Sequence, residues 1–273
     1  MSTEQAKIDH WYNPQNIYKK IIIETPRSNR KTLVELYNCN EEYLKTVKKV
    51  ICIHPANHSV ALFLKMMKEA DLCLYCHPLL AKESSKDFVI SYVQKFNYPL
   101  VILTRLENLE DLMRKNGAPT KFRRWCTRMF KIEPVRLFYK TYITSGVVEY
   151  IGIQKFQSKE RGDMLPELKE DGKSQKRYKI FSQLPIFYET EEYNTKMIEE
   201  ANIEPFYNSI RGYNRYGCFL CPFAGKTYYE DLKENDSETY CKCNELMQLA
   251  SEPQIQSGER KGRYYYYPKT KIM

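Results

Sequence analysis

The sequence has no run of eighteen apolar residues, so no membrane-spanning helix of ordinary length is expected. Met1 to His10 is polar and lacks the apolar centre of a secretory signal, which points to the cytoplasm. Secretory cysteine spacing is missing as well. The nine cysteines are an odd number without a small-domain pattern, and they read as intracellular thiols or metal ligands. No internal repeat is present, which removes solenoids and propellers. Acidic residues fall short of basic ones, 34 against 43, and the net charge of +9 suggests an anionic partner.

What remains is a globular chain. At 273 residues and 42% hydrophobic content it can bury one large core, or a core with a small appendage. The 23 tyrosines, set among lysines and isoleucines, fit a biased genome as readily as a function. Ile17 to Thr25, the turn cluster Pro26 to Arg30, and Lys31 to Tyr37 read as a hairpin at the edge of a larger sheet. Strands are expected at Thr46 to Ile53, Leu72 to Tyr75, Pro99 to Leu103, Val147 to Ile153 and Arg177 to Ser182. Helical patterns cover Ser59 to Ala70, Ser84 to Phe96, Leu106 to Lys115, Thr127 to Tyr142, Glu189 to Ala201, Thr227 to Glu234 and Glu238 to Ser251. Pro134 is allowed only at a kink or a fresh first turn. This alternation predicts an α/β fold: an open parallel sheet covered by helices on both faces, with ligands at the strand carboxyl ends near a switch in strand order. The expected divisions are a hairpin appendage over 1–45, an α/β core over 46–216, and a cysteine motif, helices and basic Tyr-rich tail over 217–273.

The densest chemistry lies in one stretch. Arg123, Arg124, Arg128, Lys131 and Arg136 surround Trp125 and Cys126, with Glu133 the one acid among them. Thr127, if a helix opens there, can cap its free N–H groups. Amide donors plus guanidinium forks suit phosphate or sulfate, although a solvated basic face is the commoner fate of such a run. Further along, Cys218 and Cys221 have metal-pair spacing.

Four motifs carry a resemblance. Arg124-Trp125-Cys126-Thr127 followed by Lys131-Ile132-Glu133-Pro134, Ile151-Gly152-Ile153 leading to Ser158-Lys159-Glu160-Arg161, Leu184-Pro185-Ile186-Phe187 through Glu191, and Arg215-Tyr216-Gly217-Cys218 to Cys221-Pro222-Phe223 stand in the order found in the phosphoadenylyl-sulfate (PAPS) reductase family. The chain is identified as a resemblance to that family, within the PP-loop, adenine nucleotide alpha-hydrolase-like superfamily. The resemblance implies an anion or adenine-nucleotide site. Arg123, Arg124, Arg128 and Lys131 would hold the ligand with Ser59, and Lys159 or Arg161 would close from a loop above.

The chain departs from the family at the first loop. Where the family resembles Ser-Gly-Gly-Lys-Asp-Ser, this sequence has His54-Pro55-Ala56-Asn57-His58-Ser59. Proline donates no N–H, alanine lacks the φ freedom of glycine, and the lysine is gone, so cleavage of ATP between its α and β phosphates is not expected. The segment Tyr75-Cys76-His77-Pro78 also replaces a family aspartate. Together His54, His58, Cys76 and His77 could hold a metal, or an anion when the imidazoles are protonated; a decayed loop with hydrogen-bonded histidines is the plainer account.

The resemblance makes Cys126 the third ligand beside Cys218 and Cys221. The cluster-bearing relatives carry two adjacent cysteines where this chain has Cys126-Thr127, so a fourth ligand would come from Cys241 or Cys243. Zinc and a 4Fe–4S cluster both suit four thiolates. The tail, with Arg260, Lys261, Arg263, Lys269 and Lys271 around Tyr264 to Tyr267, can either hold single-stranded nucleic acid or pack as a final arm. It lacks the family's C-terminal catalytic cysteine. Three function classes follow: altered sulfur or nucleotide chemistry on a phosphate- or sulfate-bearing ligand, a nucleic-acid modification component, or a non-catalytic binding protein.

Overall fold

The computed structural model describes residues 18–25, 30–143, 146–157, 168–169, 180–204 and 218–251. Its strands are β1 (Tyr18–Glu24), β2 (Lys31–Tyr37), β3 (Lys49–Ile53), β4 (Leu72–His77), β5 (Leu100–Arg105), β6 (Val147–Ile151), β7 (Leu168–Lys169) and β8 (Ile180–Gln183). They form one eight-stranded sheet in the order β1-β2-β5-β4-β3-β6-β8-β7. The five central strands, β5 to β8 across β4, β3 and β6, run parallel. The hairpin joins the edge antiparallel, with Val34 opposite Leu103 and Leu36 opposite Val101. Chain order runs outward from β3 to β4 and β5, then returns to place β6 on the other side of β3. The switch in strand order therefore falls between β3 and β6.

The helices are α1 (Glu41–Leu44), α2 (Asn57–Met66), α3 (Glu83–Gln94), α4 (Leu109–Asn116), α5 (Trp125–Thr127), α6 (Glu133–Tyr142), α7 (Glu191–Glu200), α8 (Lys226–Asn235) and α9 (Ser237–Ser251). Strands β4 and β5 are buried almost end to end, as a sheet covered on both faces requires. Side chains alternate between the faces. Ile51, Tyr75 and Ile102 meet Phe63 of α2, Tyr92 and Val93 of α3 and Ile198 of α7. Val50, Leu74, Val101 and Leu103 meet Phe138 and Tyr139 of α6. A third apolar cluster gathers Leu80, Met113, Trp125, Phe130, Phe219, Leu220, Leu232 and Leu246. This small core fixes the Cys218 to Cys221 turn against the Trp125 segment.

Two local expectations need correction. The basic helix opens at Trp125, not Thr127, and Arg124 occupies its cap position without a side-chain cap bond. Thr127 thus lies inside the turn, where its Oγ1 stands 3.4 Å from Arg124 Nη2. Between α5 and α6 the chain widens into a π-helical turn, Arg128–Ile132, in which the Glu133 N–H bonds the Arg128 carbonyl. Pro134 explains it: a proline ring clashes with the carbonyl four residues back in a regular helix, and here it sits in the first turn of α6. Helix α2 likewise begins at Asn57, ahead of the expected Ser59, so the preceding loop is shorter.

Candidate functional site

The loop after β3 and the chain after β6 meet at the switch point. A Cβ at Gly152 would lie 3.4 Å from His58 Cδ2 and 3.6 Å from the His58 carbonyl, which places the end of β6 in ordinary contact range of α2. The loop spends its own donors. The His54 N–H bonds Ser59 Oγ at 2.8 Å, the Ala56 N–H bonds the His54 carbonyl at 2.8 Å, and Pro55 has none. Ser59 is fully buried with its hydroxyl engaged in this brace. The His54 and His58 rings stand edge to face, 4.6 Å apart.

The suggested second metal or anion set divides: His54 and His58 stand together, whereas Cys76 and His77 lie on opposite faces of β4. His77 is buried, with Nδ1 3.3 Å from Tyr75 Oη and Nε2 3.2 Å from Glu83 Oε1. Burial lowers its pKa, and Glu83 opposes that shift. Cys76, next along β4, turns to the opposite face, where its Sγ donates to the Lys131 carbonyl at 3.6 Å.

The basic cluster sits on the turn and helix start that the third core holds. Trp125 is buried, its Nε1–H donates to the Gly117 carbonyl at 3.1 Å, and its ring packs 5.7 Å from Phe130. Arg128 is exposed and bonds Glu133 Oε1 at 2.9 Å, while Arg30 holds the other oxygen at 2.6 Å. The Arg124 guanidinium lies over the Phe223 ring, 5.2 Å from its centre. Arg123 is half-buried. Lys131 is exposed, and among the described residues no carboxylate pairs with it. Lys159 and Arg161 lie outside the described residues, as do Arg215 to Gly217 and the tail from Gly258.

The thiols of Cys126 and Cys218 share one electrostatic neighbourhood with that lysine and with Cys221. Burial pushes Cys218 up to about 11; Lys131 pulls it down, and Cys126 and Cys221 push it further up. Burial also raises Cys126, with Cys221 adding to the rise and Lys131 opposing it. Cys76 is pushed up to about 12 by burial, again against Lys131. On α9, Cys243 is buried and its Sγ donates to the Phe219 carbonyl at 3.5 Å, between Cys218 and Cys221 in sequence, whereas Cys241 is exposed. Among the described residues, no three His, Cys, Asp or Glu side chains are close enough to hold a metal ion. The donor chemistry of the three neighbouring thiols suits a thiophilic metal, but their spacing is more open than a closed site.

These shifts carry a pH dependence. Cys39 and Cys76 are each pushed up to about 12, and Cys218 to about 11, from an ordinary 9.0. Below 9.0 the thiols are protonated in folded and unfolded chains alike, and their stabilising contribution is complete. Above it the folded chain keeps protons that the unfolded chain releases, so stability falls as pH rises through the folded values. Urea midpoints of metal-free protein are expected to drop steadily on the alkaline side of 9.0; a flat profile there would contradict the burial assigned to these thiols.

Sequence reasoning did not single out Lys131 as the cation common to three thiols, nor Phe122 and Phe223. The signal for Lys131 was its place one turn beyond Cys126; the exposure of the two rings had no signal in the sequence.

An α/β chain with a switch point, a basic helix start and a Cys-x-x-Cys turn is thus defined. The model of the phosphoadenosine phosphosulfate reductase domain matches residues 58–224, more than half the chain, and the chain belongs to this family. Two uncharacterised proteins of Methanocaldococcus jannaschii are each 28% identical to it. MJ0973 aligns over 57% of this chain and 36% of its own length, and MJ0066 over 45% and 25%. The chain therefore spans only about a third and a quarter of these relatives. Among solved structures, phosphoadenylyl-sulfate reductase from Candida auris, a phosphate complex, is similar with a TM-score of 0.47 and 16% identity over 65% of this chain and 87% of that one. The U34-tRNA thiolase NcsA from Methanococcus maripaludis, with its 4Fe–4S cluster, has a TM-score of 0.42 and 11% identity over 81% and 83%. Among the described residues, no helix is long and apolar enough to cross a membrane.

Proposed function

We propose that this chain binds a phosphate- or sulfate-bearing ligand, such as an adenine nucleotide, beside a cysteine thiol centre, and that it has lost ATP cleavage between the α and β phosphates. The observation that carries this reading is Lys131. It is an exposed ammonium, without a carboxylate partner among the described residues, its carbonyl accepts from Cys76 Sγ at 3.6 Å, and its charge opposes the upward shift that burial gives Cys76, Cys126 and Cys218. An anion drawn to Lys131 and Arg124 would lie next to those thiols. Arg128 is tied to Glu133 and contributes field more than contact. Cys126, Cys218 and Cys221, with Cys243 behind the turn or Cys241 from α9, would hold zinc or a 4Fe–4S cluster. Such a group supplies Lewis-acid or electron-transfer capacity when bound. The chain's own part is to orient the anion and, through Lys131, to offset part of the burial that holds Cys126 and Cys218 as thiols.

Titration calorimetry with adenosine monophosphate and adenosine 5′-phosphosulfate tests the reading. Charged hydrogen bonds are worth about 1.5–3 kcal/mol each, and about 1.4 kcal/mol is tenfold in affinity. Changing Arg124→Ala and Lys131→Ala together is expected to weaken the mononucleotide by at least about tenfold. Equal affinity in the wild type and the double variant would remove the anion site. Binding of neither ligand by the wild type would leave the non-catalytic scaffold as the better account.

A further inference from the structure

The turn before the basic helix displays a side chain that packing does not explain. Phe122 is fully exposed at 102% of its reference area, although phenylalanine normally reaches the core. Its position is held by the turn. The Thr120 N–H bonds the Arg123 carbonyl at 3.2 Å, and the Arg123 N–H bonds Thr120 Oγ1 at 2.9 Å, which leaves residue 122 at the apex. A second ring, Phe223, is 44% exposed just past the Cys218 to Cys221 turn, and Arg124 covers one side of it. Arg124 lies against Phe223, and Lys121, Arg128 and Lys131, within ten residues of Phe122 in the chain, are exposed as well. Exposed aromatic faces interleaved with cations match unpaired bases and their phosphates, since every base has a stacking face and every linkage a negative charge. In a duplex the bases are stacked on each other and unavailable to such rings.

We propose that Lys121, Phe122, Arg124, Arg128, Lys131 and Phe223 form a docking face for single-stranded nucleic acid. The rings stack on bases and the cations follow the backbone. The inference rests on the reading of Arg124 and Lys131 as an anion site, and it makes the phosphate-bearing ligand part of a polynucleotide.

The test is fluorescence anisotropy with a labelled oligouridylate of about twelve nucleotides, a labelled duplex of the same length, and separately a labelled adenosine monophosphate, all at one salt concentration. The single strand is expected to bind at least about tenfold more tightly than the duplex. Phe122→Ala and Phe223→Ala should each weaken the single strand by roughly 5-fold to 100-fold, the range of one base stack. Phe122→Trp should retain binding, and neither change at Phe122 should alter mononucleotide affinity. Phe122 buries nothing, so its variants should keep the thermal midpoint of the wild type. Wild-type affinity in the Phe→Ala variants, equal binding of duplex, or no binding of the single strand would each overturn the docking face. So would Phe122-dependent capture by phosphatidylserine vesicles without oligonucleotide binding. In every one of those cases the mononucleotide titration, read through Arg124 and Lys131, still decides the anion site on its own.

Discussion

Cys218→Ser or Cys221→Ser is expected to strip the protein of metal. The two cysteines sit on a turn fixed by Phe219 and Leu220, both buried in the third core, so only the side chains need to close around an arriving ion. Thiolate sites of this kind bind zinc with an apparent free energy of about 10–16 kcal/mol near neutral pH, and loss of one thiolate removes a large part of it. Metal content per chain, measured after purification without oxygen, should fall to less than about a tenth of the wild-type value. Cys126→Ser should behave the same way, because Cys126 shares the neighbourhood of Cys218 and Cys221. Cys241→Ser, at an exposed position on α9, separates the two candidates for a fourth ligand: full metal content assigns that place to Cys243. Binding must also release protons, since burial keeps Cys126 and Cys218 in the thiol form at neutral pH. Wild-type metal content in Cys218→Ser would end the proposal of a thiolate centre here.

Incubated with ATP and magnesium, the protein is expected to release no pyrophosphate above a blank. The physical reason is the wiring of the loop after β3. Three of its N–H groups, from His54, Ala56 and Ser59, are consumed by Ser59 Oγ, the His54 carbonyl and the Ala56 carbonyl, and Pro55 contributes none. No lysine stands among the six loop positions to offset the charge that develops on a leaving pyrophosphate. Enzymes accelerate such reactions by at least about a million-fold, so retained catalysis would be unmistakable in a coupled pyrophosphate assay. Release above the blank that Ser59→Ala abolishes would contradict this account of the loop.

The order of strands and helices was legible because local signals agreed with tertiary demand. The β-branched hairpin and the buried runs of β4 and β5 read directly as strands, and the return strand Lys31–Tyr37 has the bounds its sequence suggested. The π-helical turn was not legible. Pro134 announced a disturbance, but whether the chain would kink or widen depended on how Phe130 and Trp125 seat in the third core. The separation of Cys76 from His77 has a simpler reason. Reading β4 as far as Tyr75 hid that it continues to His77, and strand alternation then sends Cys76 and His77 to opposite faces. The grouping of Cys126, Cys218 and Cys221 as candidate ligands was legible through the family motifs. The shared lysine was not, because it depends on the rotation that the π turn gives to residue 131.

The most direct test of the central claim, that ligand and thiols occupy one place, is protection from alkylation. Metal-free protein at about pH 9, where thiolate begins to form, is treated with iodoacetamide, and each cysteine is followed by peptide mass spectrometry. Adenosine 5′-phosphosulfate should slow modification of Cys126 and Cys218 several-fold and leave Cys241, exposed on α9, at its unprotected rate. Equal rates at Cys126 and Cys218 with and without a saturating ligand would contradict the account.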